Sequence, residues 1–163
     1  GDQPGVQIGP LIDAEAVAKV EAYISDALAH GAKIEIGGRR GKEGPLFYEP
    51  TVLTGVTQVM RVAREEIFGP VAPLFAFDSE EEVIAMANAT EYGLAAYFYT
   101  LDARRAWRVT EALEYGMVGH NTGLISNEVA PFGGIKQSGV GREGSRHGME
   151  EYQELKYWCS VVE

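Results

Sequence analysis

Apolar positions recur on a helical period in the first patterned stretch of the chain. Between Asp13 and Gly31, residues Val17, Val20, Ile24, Ala27 and Leu28 fall on one stripe, which predicts an amphipathic helix. Asp13 is placed to cap its start and Gly31 to close its end in the left-handed conformation. The next segment, AKIEIGG (32–38), alternates like a short strand and stops at two glycines. A glycine-rich charged loop, GGRRGKEGP, follows. FYEPTVLTGV (47–56) then reads as extended, with Pro50 at its start or edge.

From Gly69 onward the pattern alternates between element types. GPVAPLFAF (69–77) is a nearly continuous apolar run, which predicts a strand buried on both faces. SEEEVIAMANAT (79–90) carries Ser79 and Glu82 at capping-box spacing. LAAYFYT (94–100) predicts a second buried strand. DARRAWRVTEALEYG (102–116) predicts a helix with Ala106, Val109, Thr110 and Leu113 along one side and Gly116 as its stop, and MVGHNTG (117–123) a third short strand. Strand, helix, strand, helix, strand over 69–123 predicts an α/β unit with parallel strands and right-handed crossovers. The final stretch, YQELKYWCSVV (152–162), is rich in β-formers and predicts an added edge strand that pairs with another chain.

Composition narrows the picture. The chain has 163 residues, 45% hydrophobic and 23% charged, which is the balance of an ordinary globular protein. The net charge of -10 disfavours nucleic acid or an anionic membrane as partner, since either requires a basic surface. No apolar run reaches the length of a membrane span. The first residues lack both a Met and a signal peptide, so the chain reads as a processed product or a piece of something larger. One cysteine, Cys159, leaves no internal disulfide and no Cys-rich metal site, and fits a reducing, cytoplasmic setting.

Two candidates for chemistry fail on their surroundings. Gly139, Gly141 and Gly144 spell G-x-G-x-x-G within PFGGIKQSGVGREG (131–144). A dinucleotide loop needs a strand before the first glycine, a helix after the third, and a second strand ending in an acidic residue about 20 positions on. The residues before Gly139 read as a loop, and the 19 that follow Gly144 leave no room for such a unit. These glycines are expected to supply positive φ in a packed loop. Cys159 is the only thiol, but a reactive thiolate needs a helix N-terminus or a cation, and a base within reach. Cys159 falls in the predicted final strand with Lys156 on the opposite side, and reads as structural. His120 and His147 have no nucleophile at a recognisable spacing and read as satisfied or exposed. Trp107, Tyr152 and Trp158 read as core or interface.

The longer string is more specific. PFGGIKQSGVGREG resembles the P-F-G-G-x-K-x-S-G-x-G-R-E signature of the aldehyde dehydrogenase superfamily, and REEIFGPVAPL (64–74) its E-E-x-F-G-P-V segment. IGPLID, NATEYGLAAYFYT and VGHNTG fall in that family's order, so the resemblance spans essentially the whole chain. Within the superfamily, the stretch from Asn121 is most similar to succinate-semialdehyde dehydrogenases, with glutarate-semialdehyde enzymes close behind.

The resemblance implies the α/β, parallel-sheet catalytic domain of the aldehyde dehydrogenase fold, its C-terminal portion over 1–150, with an oligomerisation strand over 151–163. It implies an NAD(P)-dependent oxidation of succinic semialdehyde through a cysteine thioester. The nucleophilic Cys, the general-base Glu and the Rossmann domain that holds most of the NAD or NADP would lie upstream, so this chain alone is expected to be inactive. The complete protein is expected to be a cytoplasmic homo-oligomer. Glu66 and Phe68 match the residues that hold the nicotinamide half of the cofactor; the alternative is that Glu65 and Glu66 are simply solvated. Ser126 matches a hydroxyl that contacts the substrate carboxylate, against a loop serine bonded to its own backbone. Phe132 lines the same pocket or packs the loop. The rival reading is a stand-alone, non-catalytic binding or assembly module, favoured by the lack of a nucleophile–base pair.

Overall fold

Asp13 opens the first helix, α1 (Ala14–Ala29), by accepting a hydrogen bond from the Ala16 N–H at 2.8 Å. The structure, a computed structural model, describes residues 4–162 and divides into two compact units, Gly1–Phe77 and Asp78–Glu163. Helix α1 ends as expected, with Gly31 at φ 96°. The Gly31 N–H reaches the Leu28 carbonyl at 3.1 Å and the Ala32 N–H the Ala27 carbonyl at 3.0 Å, which satisfies two carbonyls the helix end leaves open. The buried face is Val17, Val20, Tyr23, Ile24 and Ala27. Leu28 is 43% exposed, because the buried arc is centred near Val20 and Ala27 and takes in Tyr23 instead.

In the same unit, β1 (Lys33–Ile36) runs antiparallel to β2 (Thr51–Thr54), with an irregularity between Ile34 and Ile36. Strand β3 (Val71–Pro73) runs parallel to β2, which is central in the order β1-β2-β3. Leu53 of β2 is fully buried, and with α1, Met60 and Val62 it makes one apolar cluster. The 3-10 turn Arg61–Ala63 packs on α1. The predicted doubly buried strand over 69–77 is corrected here. Only three residues form a strand, on a sheet edge and half-exposed, because Pro70 and Pro73 offer no N–H for a longer ladder.

In the second unit, α2 (Glu80–Asn88) begins at the predicted Ser79 cap, whose hydroxyl accepts the Glu82 N–H at 3.1 Å. The return bond from Glu82 lands on the Asp78 N–H at 2.7 Å, one residue upstream of the usual capping box. Strand β4 (Tyr92–Gly93) precedes β5 (Ala95–Phe98), α3 (Ala103–Ala112) and β6 (Met117–His120). Strands β5 and β6 are parallel, as the alternation predicted, and are joined through α3. Asp102 caps α3 through the N–H groups of Arg104 and Arg105. Glu80 accepts from Arg105 and Arg108, tying α2 to α3.

Helix α3 stops at Leu113, which is extended, not at Gly116. Gly116 is required for another reason: a Cβ there would collide with the Gly133 carbonyl oxygen. Strand β7 (Ile135–Lys136), inside the segment read as pure loop, pairs antiparallel with β4.

One further expectation is corrected. The strands predicted over 69–123 do not share one sheet: β3 pairs with β2, and β5 pairs with β6. The oligomerisation strand expected over 151–163 is one that pairs with another chain, and in the single chain its described part, up to residue 162, is in no strand. The 3-10 turn His147–Tyr152 covers its start, and residues 153–162 are exposed without regular structure. A strand needs a neighbour for its backbone donors and acceptors, and none is present for this segment among the described residues. No described helix is long and apolar enough to cross a membrane.

Candidate functional site

Two adjacent carboxylates in the first unit have opposite surroundings. Glu65 follows the 3-10 turn and accepts from Arg61 twice, Nε at 2.8 Å and Nη2 at 3.0 Å, and from the Tyr23 hydroxyl at 3.1 Å. The Arg61 guanidinium, with the Tyr23 hydroxyl behind it, holds the Glu65 carboxyl down at about 2. None of these bonds reaches the carboxylate of Glu66, which is exposed. The Glu66 backbone is held: its carbonyl accepts from Lys19 Nζ at 2.8 Å, and Ile67 packs against the core. Phe68 is 79% exposed and sits at φ 52°, a left-handed backbone that a bulky residue adopts only under strain. Glu66 and Phe68 thus present a negative group and an aromatic ring from a backbone tied on both sides.

The second unit carries the other two predicted residues, apart from each other in role. Ser126 is exposed in a stretch without regular structure. The local turn is made by its neighbour, whose Asn127 Oδ1 accepts the Val129 N–H at 3.0 Å. Phe132 exchanges two backbone hydrogen bonds with Glu143, at 2.8 and 2.7 Å, which closes the glycine loop at its base. Phe132 lines a cavity of about 560 Å³ with Ser138, Arg142, Glu143, Glu151 and Tyr152. Ser126 is not part of that lining, so the cavity does not bring the two predicted substrate residues together.

Most of the signature string is occupied in building the loop. Gly139, Gly141 and Gly144 sit at φ 131°, 82° and 64°, the positive values expected of them. Arg142 Nη1 donates to the Gly134 and Gly141 carbonyls at 2.8 and 2.7 Å. Lys136 Nζ donates to the Asn88 and Thr90 carbonyls at the end of α2 and pairs with Glu114 at 2.6 Å. Such a cation satisfies carbonyls that the helix end leaves open. Ser138 Oγ accepts the Gly93 N–H at 2.9 Å. Sequence reasoning did not assign these roles, nor that of Glu65. The signal for Glu65 was an arginine four residues before one member of an acidic doublet.

Of the remaining candidates, Tyr152 lines the cavity and the others do not. Cys159 is a free, exposed thiol in the segment without regular structure. His120 Nε2 contacts the Thr100 carbonyl at 3.0 Å and its ring stacks on Phe98; His147 Nδ1 contacts Glu150 at 2.9 Å. Both histidines are satisfied. Trp107, Tyr152 and Trp158, read as core or interface, are all exposed here.

The profile of the aldehyde dehydrogenase family matches residues 1–158. The chain belongs to that family, and its mixed α/β fold is the aldehyde dehydrogenase fold. Among individual proteins, it is 62% identical over 159 residues to a 3-sulfolactaldehyde dehydrogenase of Pseudomonas putida, covering 98% of this chain and 33% of that protein. It is 62% identical over 162 residues to a glutarate-semialdehyde dehydrogenase of Pseudomonas putida, covering 99% of this chain and 33% of that protein. The crystal structure of a succinate-semialdehyde dehydrogenase from Burkholderia pseudomallei superimposes with a TM-score of 0.96 at 62% identity, over 99% of this chain and 34% of that one. The chain therefore spans about a third of the length of its relatives. Other relatives are described as NADP(+)-dependent, and some solved neighbours are NAD+ complexes.

Proposed function

We propose that the chain is the C-terminal portion of an NAD(P)-dependent aldehyde dehydrogenase acting on a short aldehyde with an acid group at its far end, succinic semialdehyde first. The C-terminal placement is supported by the glycine loop. Its G-x-G-x-x-G follows a two-residue strand and precedes a 3-10 turn, so it is not the dinucleotide loop of the upstream Rossmann domain. The nucleophilic cysteine and general base belong, in this reading, to segments outside this chain, which alone does not turn over aldehyde. The acid-group preference is supported by the names of three relatives, a 3-sulfolactaldehyde, a succinate-semialdehyde and a glutarate-semialdehyde dehydrogenase, whose substrates end in a sulfonate or carboxylate. The same reading places the complete protein in the cytoplasm as a homo-oligomer, with the exposed Tyr157, Trp158, Val161 and Val162 as contact surface.

The observation that carries the proposal is the exposed Glu66 two residues before Phe68, which is exposed and strained in its backbone. These groups fit the nicotinamide half of the cofactor, which has ribose hydroxyls to donate and a flat ring to confine. NAD(P)+, when bound, supplies the acceptor for the electrons that leave the aldehyde. Glu66 accepts the ribose hydroxyl protons through charge-assisted bonds, which are roughly twice as strong as neutral ones. Phe68 restricts where the ring lies. Ser126 donates its hydroxyl to the acid group of the substrate, and Phe132 walls the aldehyde chain.

One experiment on the complete enzyme has two arms. Glu66→Gln is expected to slow single-turnover NAD(P)H formation more than it raises the KM for aldehyde, because a misplaced ring reacts slowly. Ser126→Ala is expected to lower kcat/KM for succinic semialdehyde by roughly 10- to 150-fold, the loss of one bond to a charged group, with an uncharged aldehyde of similar length unaffected. A wild-type single-turnover rate in the first arm removes the clamp. Equal losses for both aldehydes in the second make Ser126 a loop-shaping residue.

A further inference from the structure

Glu65 and Glu66 are chemically identical neighbours, and the fold spends one of them on anchorage. The Arg61 guanidinium grips both oxygens of Glu65 in a fork and lies over the Tyr23 ring at 4.7 Å from its centre. Tyr23 is 1% exposed, so the grip is fastened to the core of the unit. Arg61 is itself fixed: its N–H donates to Asp26 Oδ2 at 2.9 Å, and its carbonyl accepts the Glu65 N–H at 2.9 Å. On the far side of Glu66, Ile67 packs against the core, and Lys19 holds the Glu66 carbonyl. Tyr23, Asp26 and Lys19 all project from α1.

We propose that Glu65, gripped by Arg61 and Tyr23, is a positioning residue that fixes the backbone from which Glu66 reaches the cofactor ribose. The assignment rests on the clamp reading of Glu66. It has two physical parts. With the backbone tied on both sides, Glu66 has only its side-chain torsions to search, so less freedom is lost on binding. With Glu65 in place, Arg61 is also fully engaged. Without Glu65, the guanidinium is released five residues from Glu66 and becomes a competing partner for its carboxylate.

The test uses the complete enzyme, with separate KM values for NAD(P)+ and for aldehyde after normalising to active sites. Glu65→Ala is expected to raise the KM for NAD(P)+ roughly tenfold and to leave the KM for aldehyde within about twofold. The reversed pair, Arg61→Glu with Glu65→Arg, is expected to recover most of that loss. If Glu65→Ala does not fold, Glu65→Gln keeps the shape and one acceptor and is read on the same two constants. Unchanged KM values with a reduced active fraction would make Glu65 merely structural and overturn the proposal. Glu66→Gln runs alongside. If it weakens NAD(P)+ use while Glu65→Ala and Glu65→Gln do not, the positioning role fails and the clamp stands. If Glu66→Gln is silent, the clamp fails and the positioning role falls with it.

Discussion

The two units of this chain are similar in length and in the regularity of their sequence patterns, yet they are filled differently. Among the described residues, the first holds eleven buried hydrophobics, from Val17 to Val62, and the second holds two, Val109 and Met117. Helix α1 buries five residues, whereas α2 buries none and α3 one. The second unit is held instead by polar ties: Glu80 to two arginines, Lys136 to the end of α2, Arg142 across the glycine loop. A hydrophobic period therefore specifies what kind of element forms, while burial depends on what lies against it. On the proposed reading the roles divide between the units: Glu66 stands on the packed unit, and Ser126 and Phe132 on the polar, glycine-rich one.

The comparison can be broken most decisively by hydrogen exchange on this chain. Amides of α1 and β2 are expected to exchange slower than those of β5 and β6 by on the order of a hundredfold, about 3 kcal/mol in opening free energy. Equal protection in both units would show that polar ties hold the second as firmly as apolar packing holds the first. Substitution sharpens the same point. Leu53→Ala, at a fully buried site, is expected to cost about 2–5 kcal/mol in urea unfolding, and Leu101→Ala, at a fully exposed one, less than about 0.5. A large effect at Leu101 would mean that its side chain is covered in solution.

The smallest effect concerns the ion pair at the rim of the packed unit. Arg61, assisted by Tyr23, lowers the Glu65 carboxyl from its ordinary 4.5 to about 2 in the folded chain. A folded value below the unfolded one stabilises the fold fully above about 4.5, and that contribution is lost as pH falls through about 2. Glu65→Gln is therefore expected to be less stable than the parent at neutral pH, by a modest margin that closes across that window. Urea midpoints measured over the range check it, and a margin that ignores pH would mean that Glu65 is not ionically held.

Local signals were the most legible. The caps at Asp13 and Ser79 and the glycine closure of α1 involve groups a few residues apart, so their spacing carries the geometry. The parallel pairing of β5 with β6 followed from alternation. What failed depended on distant partners. The run over 69–77 looked doubly buried because its letters are apolar, while its prolines and its edge position decided otherwise. The two-residue pair β4–β7 is too short to show a period. At the site, the family signature was legible as a string, but not the work of Lys136, whose carbonyl partner Asn88 lies 48 residues away.

The doublet at 65 and 66 also bears on how such chains are read against each other. Its two letters are the same, so a comparison that slips by one residue across them loses nothing in score. Such a slip would transfer the role proposed for Glu66 to the glutamate already gripped by Arg61. Here the spacing to the arginine, not the identity of the letter, tells the two glutamates apart: the partner of Arg61 is the residue four positions on.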